Sequence, residues 1–167
     1  MYILGDIGNT ETKIWLVSKK NHIIKKINFS SKEVTNYKLS KIFKKYNFKF
    51  KDIEKILFCS VVPPTFNLIK NFLSKKTNNK CYEVKSLSLK SLIKIKVDYK
   101  QVGSDRITNA ISLMNNKNNF IILDFGTATT FDVLVQNTYY GGIIAPGVKL
   151  SLNSLSDKAT LIPRINL

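Results

Sequence analysis

The chain is predicted to be an α/β protein of two similarly ordered lobes, the second incomplete, and three observations predict it. A D-x-G turn occurs twice, as Asp6-Ile7-Gly8-Asn9-Thr10-Glu11-Thr12-Lys13 and as Asp124-Phe125-Gly126-Thr127-Ala128-Thr129-Thr130. Each copy follows one apolar run and leads into another, the pattern of strand, tight turn and strand. Around each copy the order of apolar runs is the same, three strands and then a helix, as in layered α/β folds.

Residues 2–7, 13–18 and 23–29 read as three successive strands joined by short polar turns. Over residues 34–46, Val34, Leu39, Ile42, Phe43 and Tyr46 recur at helical spacing with lysines between them, which predicts an amphipathic helix. Residues 55–62 form a continuous apolar run, as expected of a strand buried on both faces. Pro63-Pro64 ends it, and Thr65 is placed to cap a helix running through Phe66, Ile69, Phe72 and Leu73. Another short strand is expected at 80–84, then a helical turn and a strand within 87–97. Ser104 is placed to cap a helix carrying Ile107, Ala110, Ile111 and Met114. The polar stretch 115–119 reads as the lobe boundary, dividing the chain into 1–116 and 117–167. Strands at 120–125, 130–136 and 139–144 follow, and Pro146-Gly147 introduces a short helix with Val148, Leu152 and Leu155.

Composition narrows the function classes. With 167 residues, 44% hydrophobic, the chain has material for a core. The net charge of +16 is unevenly spread. Residues 1–100 hold 22 lysines against 7 acids, whereas 101–167 hold 3 lysines and 2 arginines against 4 acids. The arginines are Arg106 and Arg164. A specific nucleic-acid reader would use arginine forks on bases and phosphates, so no specific nucleic acid is expected. The lysines, with abundant Asn and Ile, fit an AT-rich coding bias and a solvated surface better than a polyanion site. Cys59 and Cys81 lack metal-ligand spacing, and Cys59 sits in the apolar run Ile56-Leu57-Phe58-Cys59, so a buried free thiol in a reducing cytoplasm is expected. His22 reads as a surface turn residue. Asp6 interrupts any signal-peptide core, and no apolar stretch approaches membrane-span length.

The chemistry concentrates in three places. In each D-x-G turn the glycine lets backbone amides approach an anion, with the Thr10 and Thr127 hydroxyls as further donors. Lys13 can neutralise a phosphate, and Asp6 at a strand end is placed to hold Mg²⁺ directly or through water. One such turn alone would read as an ordinary hairpin; two in the same strand context favour phosphate binding. The third place is Gly103-Ser104-Asp105-Arg106 at a helix start. Asp105 suits the helix dipole there but could also accept a proton from a substrate hydroxyl, and Arg106 suits bidentate recognition of a carboxylate or phosphate.

These segments, with Ser60-Val61-Val62-Pro63, Val102 before Gly103, and Gly141-Gly142-Ile143-Ile144-Ala145-Pro146-Gly147, occur in an order that resembles the type III pantothenate kinases of the acetate/sugar kinase–Hsc70–actin superfamily. The resemblance runs from the first residues to about Pro163. It implies two duplicated RNase H-like (actin-like ATPase) lobes and ATP-dependent phosphorylation of pantothenate to 4'-phosphopantothenate, the first step of coenzyme A biosynthesis. It implies ATP binding by Asp6, Ile7, Gly8, Asn9, Thr10, Glu11, Thr12, Lys13 and Thr127, with Asp105 as proton acceptor. Pantothenate would be bound by Gly103, Ser104, Asp105 and Arg106, and by Tyr99, although the stretch around Tyr99 is shorter than the family's and lacks its proline. Asp124 would hold a monovalent cation, K⁺ or NH₄⁺, beside the Mg²⁺ that accompanies ATP, in a homodimer.

Family members continue beyond Leu167, which would leave the second lobe incomplete and Leu150, Leu152, Leu155, Leu161 and Ile162 poorly covered. A second reading is therefore a non-catalytic remnant or regulatory subunit of the same family. A third, a basic nucleic-acid protein on an RNase H-like lobe, is disfavoured by the scarcity of arginine.

Overall fold

The computed structural model describes residues 1–159 and Pro163; Leu161, Ile162 and Arg164 lie outside the described residues. The chain forms two compact units, Met1–Ser88 with Gly103–Asp105, and Leu89–Val102 with Arg106–Leu167.

The first unit is built on a five-stranded sheet of β1 (Tyr2–Ile7), β2 (Glu11–Val17), β3 (Ile23–Ser30), β4 (Lys55–Ser60) and β5 (Cys81–Glu83), in the order β3-β2-β1-β4-β5. Strands β1, β2 and β3 are antiparallel neighbours joined by the short turns expected of them. β4 lies parallel to β1, and β5 parallel to β4. Parallel pairing requires crossovers, and α1 (Asn36–Lys45) and α2 (Pro63–Thr77) supply them. Their apolar stripes meet the sheet: Ile3, Ile7, Ile14, Ile56 and Phe58 pack with Leu39 and Phe43 of α1 and with Ile69, Phe72 and Leu73 of α2.

The helix starts follow local chemistry, with one correction. Thr35 caps α1 by accepting a hydrogen bond from the Lys38 N–H at 3.2 Å. Thr65 does not cap α2: the helix starts earlier, at Pro63, with Val62 at the cap position. Proline suits that first turn because its missing N–H would have had no partner there. The Thr65 hydroxyl donates instead to the Ser31 carbonyl, at 3.4 Å.

The second unit holds a four-stranded sheet, β6 (Lys94–Ile95), β7 (Asn119–Phe125), β8 (Ala128–Val135) and β9 (Thr138–Pro146), in the order β6-β9-β8-β7. The antiparallel β7-β8-β9 set repeats β1-β2-β3 of the first unit. α3 (Ser104–Leu113) starts in the first unit and continues in the second, and α4 (Val148–Lys158) follows β9. The division differs from the expected boundary between 116 and 117. Residues 89–102 join the second unit because β6 pairs in parallel with β9, Lys94 opposite Thr138 and Ile95 opposite Tyr139. A two-residue strand is too short to carry an alternation that a sequence could reveal.

One face of the second sheet is buried and the other is not. Ile122, Leu134 and Tyr139 are buried on one side. On the other, the register sets Ile121 opposite Val133, Leu123 opposite Phe131, and Phe131 opposite Ile143. Those side chains and Phe125 are exposed, Ile121 and Ile143 each at 70% and Phe125 at 66%. In α4, Leu150 and Leu155 are exposed and Leu152 is half-buried. This contrast sets an expectation for stability. Ile69→Ala, at a position 0% exposed, should cost about 2–5 kcal/mol in urea unfolding. Ile121→Ala should stay within about 0.5 kcal/mol of the parent chain.

Candidate functional site

In the first unit, strand pairing sets the first D-x-G turn beside the Gly103–Asp105 segment. Asp6, one residue before the end of β1, lies between two neighbours in register, Lys13 on β2 and Cys59 on β4. Directly paired residues point to the same face of a sheet, so Lys13, Asp6 and Cys59 form a row. The turn is closed by the Gly8 N–H donating to the Glu11 carbonyl at 3.0 Å. Lys13 lies 3.8 Å from the Glu11 carboxylate, with both side chains partly exposed.

The Cys59 thiol reports what surrounds it. It donates to Asp6 Oδ1 at 3.4 Å. Burial first, then the charge and hydrogen bond of Asp6, and then the charge of Asp105 push this thiol far above its ordinary value of 9.0. Asp6 and Asp105, almost a hundred residues apart in sequence, therefore act on one sulfur. Asp105 in turn depends on a glycine: a Cβ on Gly103 would lie 2.3 Å from Asp105 Oδ1. Ser104 is buried, and its Oγ accepts from the Ser60 N–H at 3.2 Å, tying the α3 start to the end of β4.

The remaining residues of the first turn divide by exposure. Asn9, Thr10 and Glu11 are exposed. Ile7 and Thr12 are buried; Ile7 can offer a ligand only its backbone, and Thr12 Oγ1 is engaged with Ser31 Oγ at 2.8 Å.

The second unit holds Tyr99, Arg106, Asp124 and Thr127. Tyr99 is half-buried in the turn after β6, where the Asp98 carbonyl accepts from the Gln101 N–H. The second D-x-G turn is closed by the Gly126 N–H donating to the Ala128 carbonyl at 3.0 Å. Thr127 is exposed, and its carbonyl accepts from the Gly147 N–H at 3.1 Å. A Cβ on Gly147 would meet the Gly126 and Thr127 carbonyl oxygens at 2.3 and 2.6 Å, so glycine lets the start of α4 close on this turn. Gly147 at the cap position makes no side-chain hydrogen bond to the first α4 amides.

Asp124 is exposed and accepts from Asn109 Nδ2 of α3 at 3.0 Å. Directly opposite it on β8, the buried Thr130 Oγ1 has no hydrogen-bond partner. A carboxylate beside an orphaned hydroxyl oxygen is a donor set that fits a hard cation such as K⁺. Among the described residues, no three of His, Cys, Asp and Glu gather as a metal cage. Asp6 alone fits Mg²⁺ in the manner usual for that ion, through one carboxylate and the phosphates of its substrate.

Arg106 has a partner that sequence reading did not anticipate. Its Nε donates to Asp132 at 2.9 and 3.1 Å and its Nη2 at 2.6 Å, with the Arg106 side chain 11% exposed. The fork expected to receive a substrate carboxylate thus already holds one from this chain. Asp132, Asn109, Cys59 and Thr130 are the site residues that sequence reasoning missed. For Asp132 a signal was available, a lone acid within the apolar strand Phe131-Asp132-Val133-Leu134-Val135.

A family model described as type III pantothenate kinase matches residues 2–167. The chain belongs to the type III pantothenate kinase family. A type III pantothenate kinase of Pelagibacter ubique is 62% identical over 167 residues, covering 100% of this chain and 67% of that relative. One of Desulforapulum autotrophicum is 32% identical over 174 residues, covering 100% of this chain and 66% of its own length. The chain thus spans about two thirds of the length of these type III pantothenate kinases. Among solved structures, a Campylobacter jejuni protein described as a Baf family transcriptional activator matches with TM-score 0.55 and 19% identity, over 93% of this chain and 59% of that one. A Sinorhizobium meliloti protein described as a 2-dehydro-3-deoxygalactonokinase matches with TM-score 0.53 and 9% identity, over 96% and 58%. These likenesses show the fold, an α/β fold built on two sheets in two units, as the sequence predicted. No helix among the described residues is long and apolar enough to cross a membrane.

The thiols give a prediction independent of activity. Burial also pushes Cys81 up, to about 12. Folded thiols therefore keep protons that unfolded ones release, so their contribution to stability is full below about pH 8.5 and is lost as pH rises above it. Urea midpoints of the parent chain should fall between pH 7 and pH 10 more steeply than those of the double variant Cys59→Ala/Cys81→Ala. Equal slopes would refute this account of the thiols.

Proposed function

We propose that this chain carries the pantothenate kinase activity of its family: transfer of the ATP γ-phosphoryl group to the primary hydroxyl of pantothenate, yielding 4'-phosphopantothenate. One observation carries the reading: Asp6 is paired in register with Cys59 on β4, and the end of β4 is tied to the start of α3 by the Ser60–Ser104 hydrogen bond, within the unit that also holds Asp105. It supports placing a phosphate turn and a proton acceptor in one compact unit of a chain whose family is named for this reaction.

Each residue then has a role set by its chemistry. The backbone and exposed side chains of residues 6–13 take ATP phosphates, with Lys13 offsetting their charge. Thr127, exposed on the second turn beside the uncapped start of α4, is a further donor to ATP. Phosphoryl transfer proceeds through a loose transition state, so Asp105 mainly orients the pantothenate hydroxyl and takes its proton late. Gly103 and Ser104 hold that carboxylate in place, Gly103 by leaving room and Ser104 by anchoring the helix start. Tyr99 and the α3 start contact pantothenate. Mg²⁺ at Asp6, and K⁺ or NH₄⁺ at Asp124 and Thr130, would supply positive charge to the phosphates. The active protein is proposed to be a cytoplasmic homodimer.

The deciding assay is formation of 4'-phosphopantothenate by the purified chain in the presence of ATP, pantothenate, Mg²⁺ and K⁺. Asp105→Asn should abolish turnover while leaving ATP binding by titration calorimetry within about twofold; product formation by that variant would overturn the assignment. Gly103→Ala should fold normally yet lose about 10- to 100-fold in turnover, because its methyl displaces the Asp105 carboxylate by about an ångström. Unchanged turnover would show that the Gly103–Asp105 contact has no catalytic consequence.

A further inference from the structure

The Arg106–Asp132–Tyr139 cluster lies wholly in the second unit, and none of the roles above uses Asp132 or Tyr139. Asp132 is fully buried on β8, an inner strand of its sheet. A buried carboxylate is tolerated only when paired and hydrogen-bonded. Asp132 meets that condition fully. Arg106 donates to both of its oxygens from Nε, at 2.9 and 3.1 Å, and again to Oδ1 from Nη2 at 2.6 Å. The hydroxyl of Tyr139, itself fully buried on β9, donates to Oδ1 at 2.5 Å. Fork geometry of this kind fixes orientation as well as distance, which a lysine could not do.

What the cluster grips is the first turn of α3. Arg106 is the third residue of that helix, directly after Asp105 and two after Ser104. We propose that Asp132, supported by Tyr139, is a positioning residue. It clamps Arg106 to the β8–β9 sheet and so sets the α3 turn on which Asp105 stands. The Nε and Nη2 edge of Arg106 then serves as a structural tether and not as the receptor for a substrate carboxylate. The effect on turnover rests on the kinase reading; the clamp itself does not.

The test uses the full chain and two readouts. Asp132→Asn keeps the shape and removes the charge, and Tyr139→Phe removes one donor with little change of shape. Leu134→Ala, a fully buried apolar position on the same strand, reports the effect of destabilisation alone. In hydrogen exchange, Asp132→Asn should speed the amides of residues 104–108 about tenfold or more relative to those of β7, whereas Leu134→Ala should not separate the two sets. In kinetics, Asp132→Asn should lower kcat about 10- to 100-fold, with KM for ATP and for pantothenate within about threefold. Tyr139→Phe should act in the same direction with smaller effect, and it carries the test if Asp132→Asn does not fold. Unchanged exchange at 104–108 would overturn the proposal. So would a lower pantothenate KM with kcat retained, the result expected if Asp132 merely competes with substrate for Arg106. Should the parent chain phosphorylate no pantothenate, the kinase reading falls, and the exchange result still decides the clamp.

Discussion

The pairing of β1 on both of its edges is the constraint on which the first unit depends. β2 holds one edge antiparallel and β4 the other in parallel. That double pairing sets Asp6 between Lys13 and Cys59, gives the D-x-G turn its rigid base, and brings the end of β4 to the start of α3 through the Ser60–Ser104 hydrogen bond. A carboxylate at the end of a buried strand is costly unless it has partners. The parallel neighbour provides one, in a thiol that burial keeps protonated and able to donate. Core packing of α1 and α2 beneath the sheet keeps this arrangement from relaxing, because a shift of one residue in register would turn Asp6 to the opposite face.

The second unit solves a similar problem differently. Its buried charge is paired by a cation and a phenol within the same unit, and its turn is backed by a glycine-started helix. Its sheet is also one-sided. β1 has β4 beside it, whereas β7, its counterpart, is an edge strand of the described sheet, and the apolar face carrying Ile121, Leu123 and Phe125 meets water. Exposed apolar area on this scale contributes little to the unit's own stability. The two units therefore differ in how firmly they hold their turns: the first by a closed core, the second by a polar cluster and tight backbone contacts.

Much of the candidate site was legible because its chemistry is written in contiguous residues. The two turns, the Gly103–Arg106 segment and the glycines before α4 are local features whose backbone demands show in sequence. What escaped notice was set by contacts between distant strands. Thr65 looked like a cap until Pro63 proved able to start the helix itself. That residues 89–102 group with the second unit was not visible because β6 is two residues long and owes its strand character to β9. Cys59 read as a buried free thiol, and its bond to Asp6 was not visible because nothing local shows that β4 pairs in parallel with β1.

By itself the sequence determined the main strands and helices, the repeat of strand, turn and strand, and the family. These follow from periodicity, turn chemistry and short motifs, all of which act over a few residues. Only the tertiary structure decided that Asp6 and Asp105 share a neighbour, that Thr12 and Ser104 point inward, and that Arg106, next to Asp105, is held by Asp132. The reason is physical. Burial and hydrogen-bond partnership are properties of strand order and register, and no single stretch of chain contains the residues that determine them.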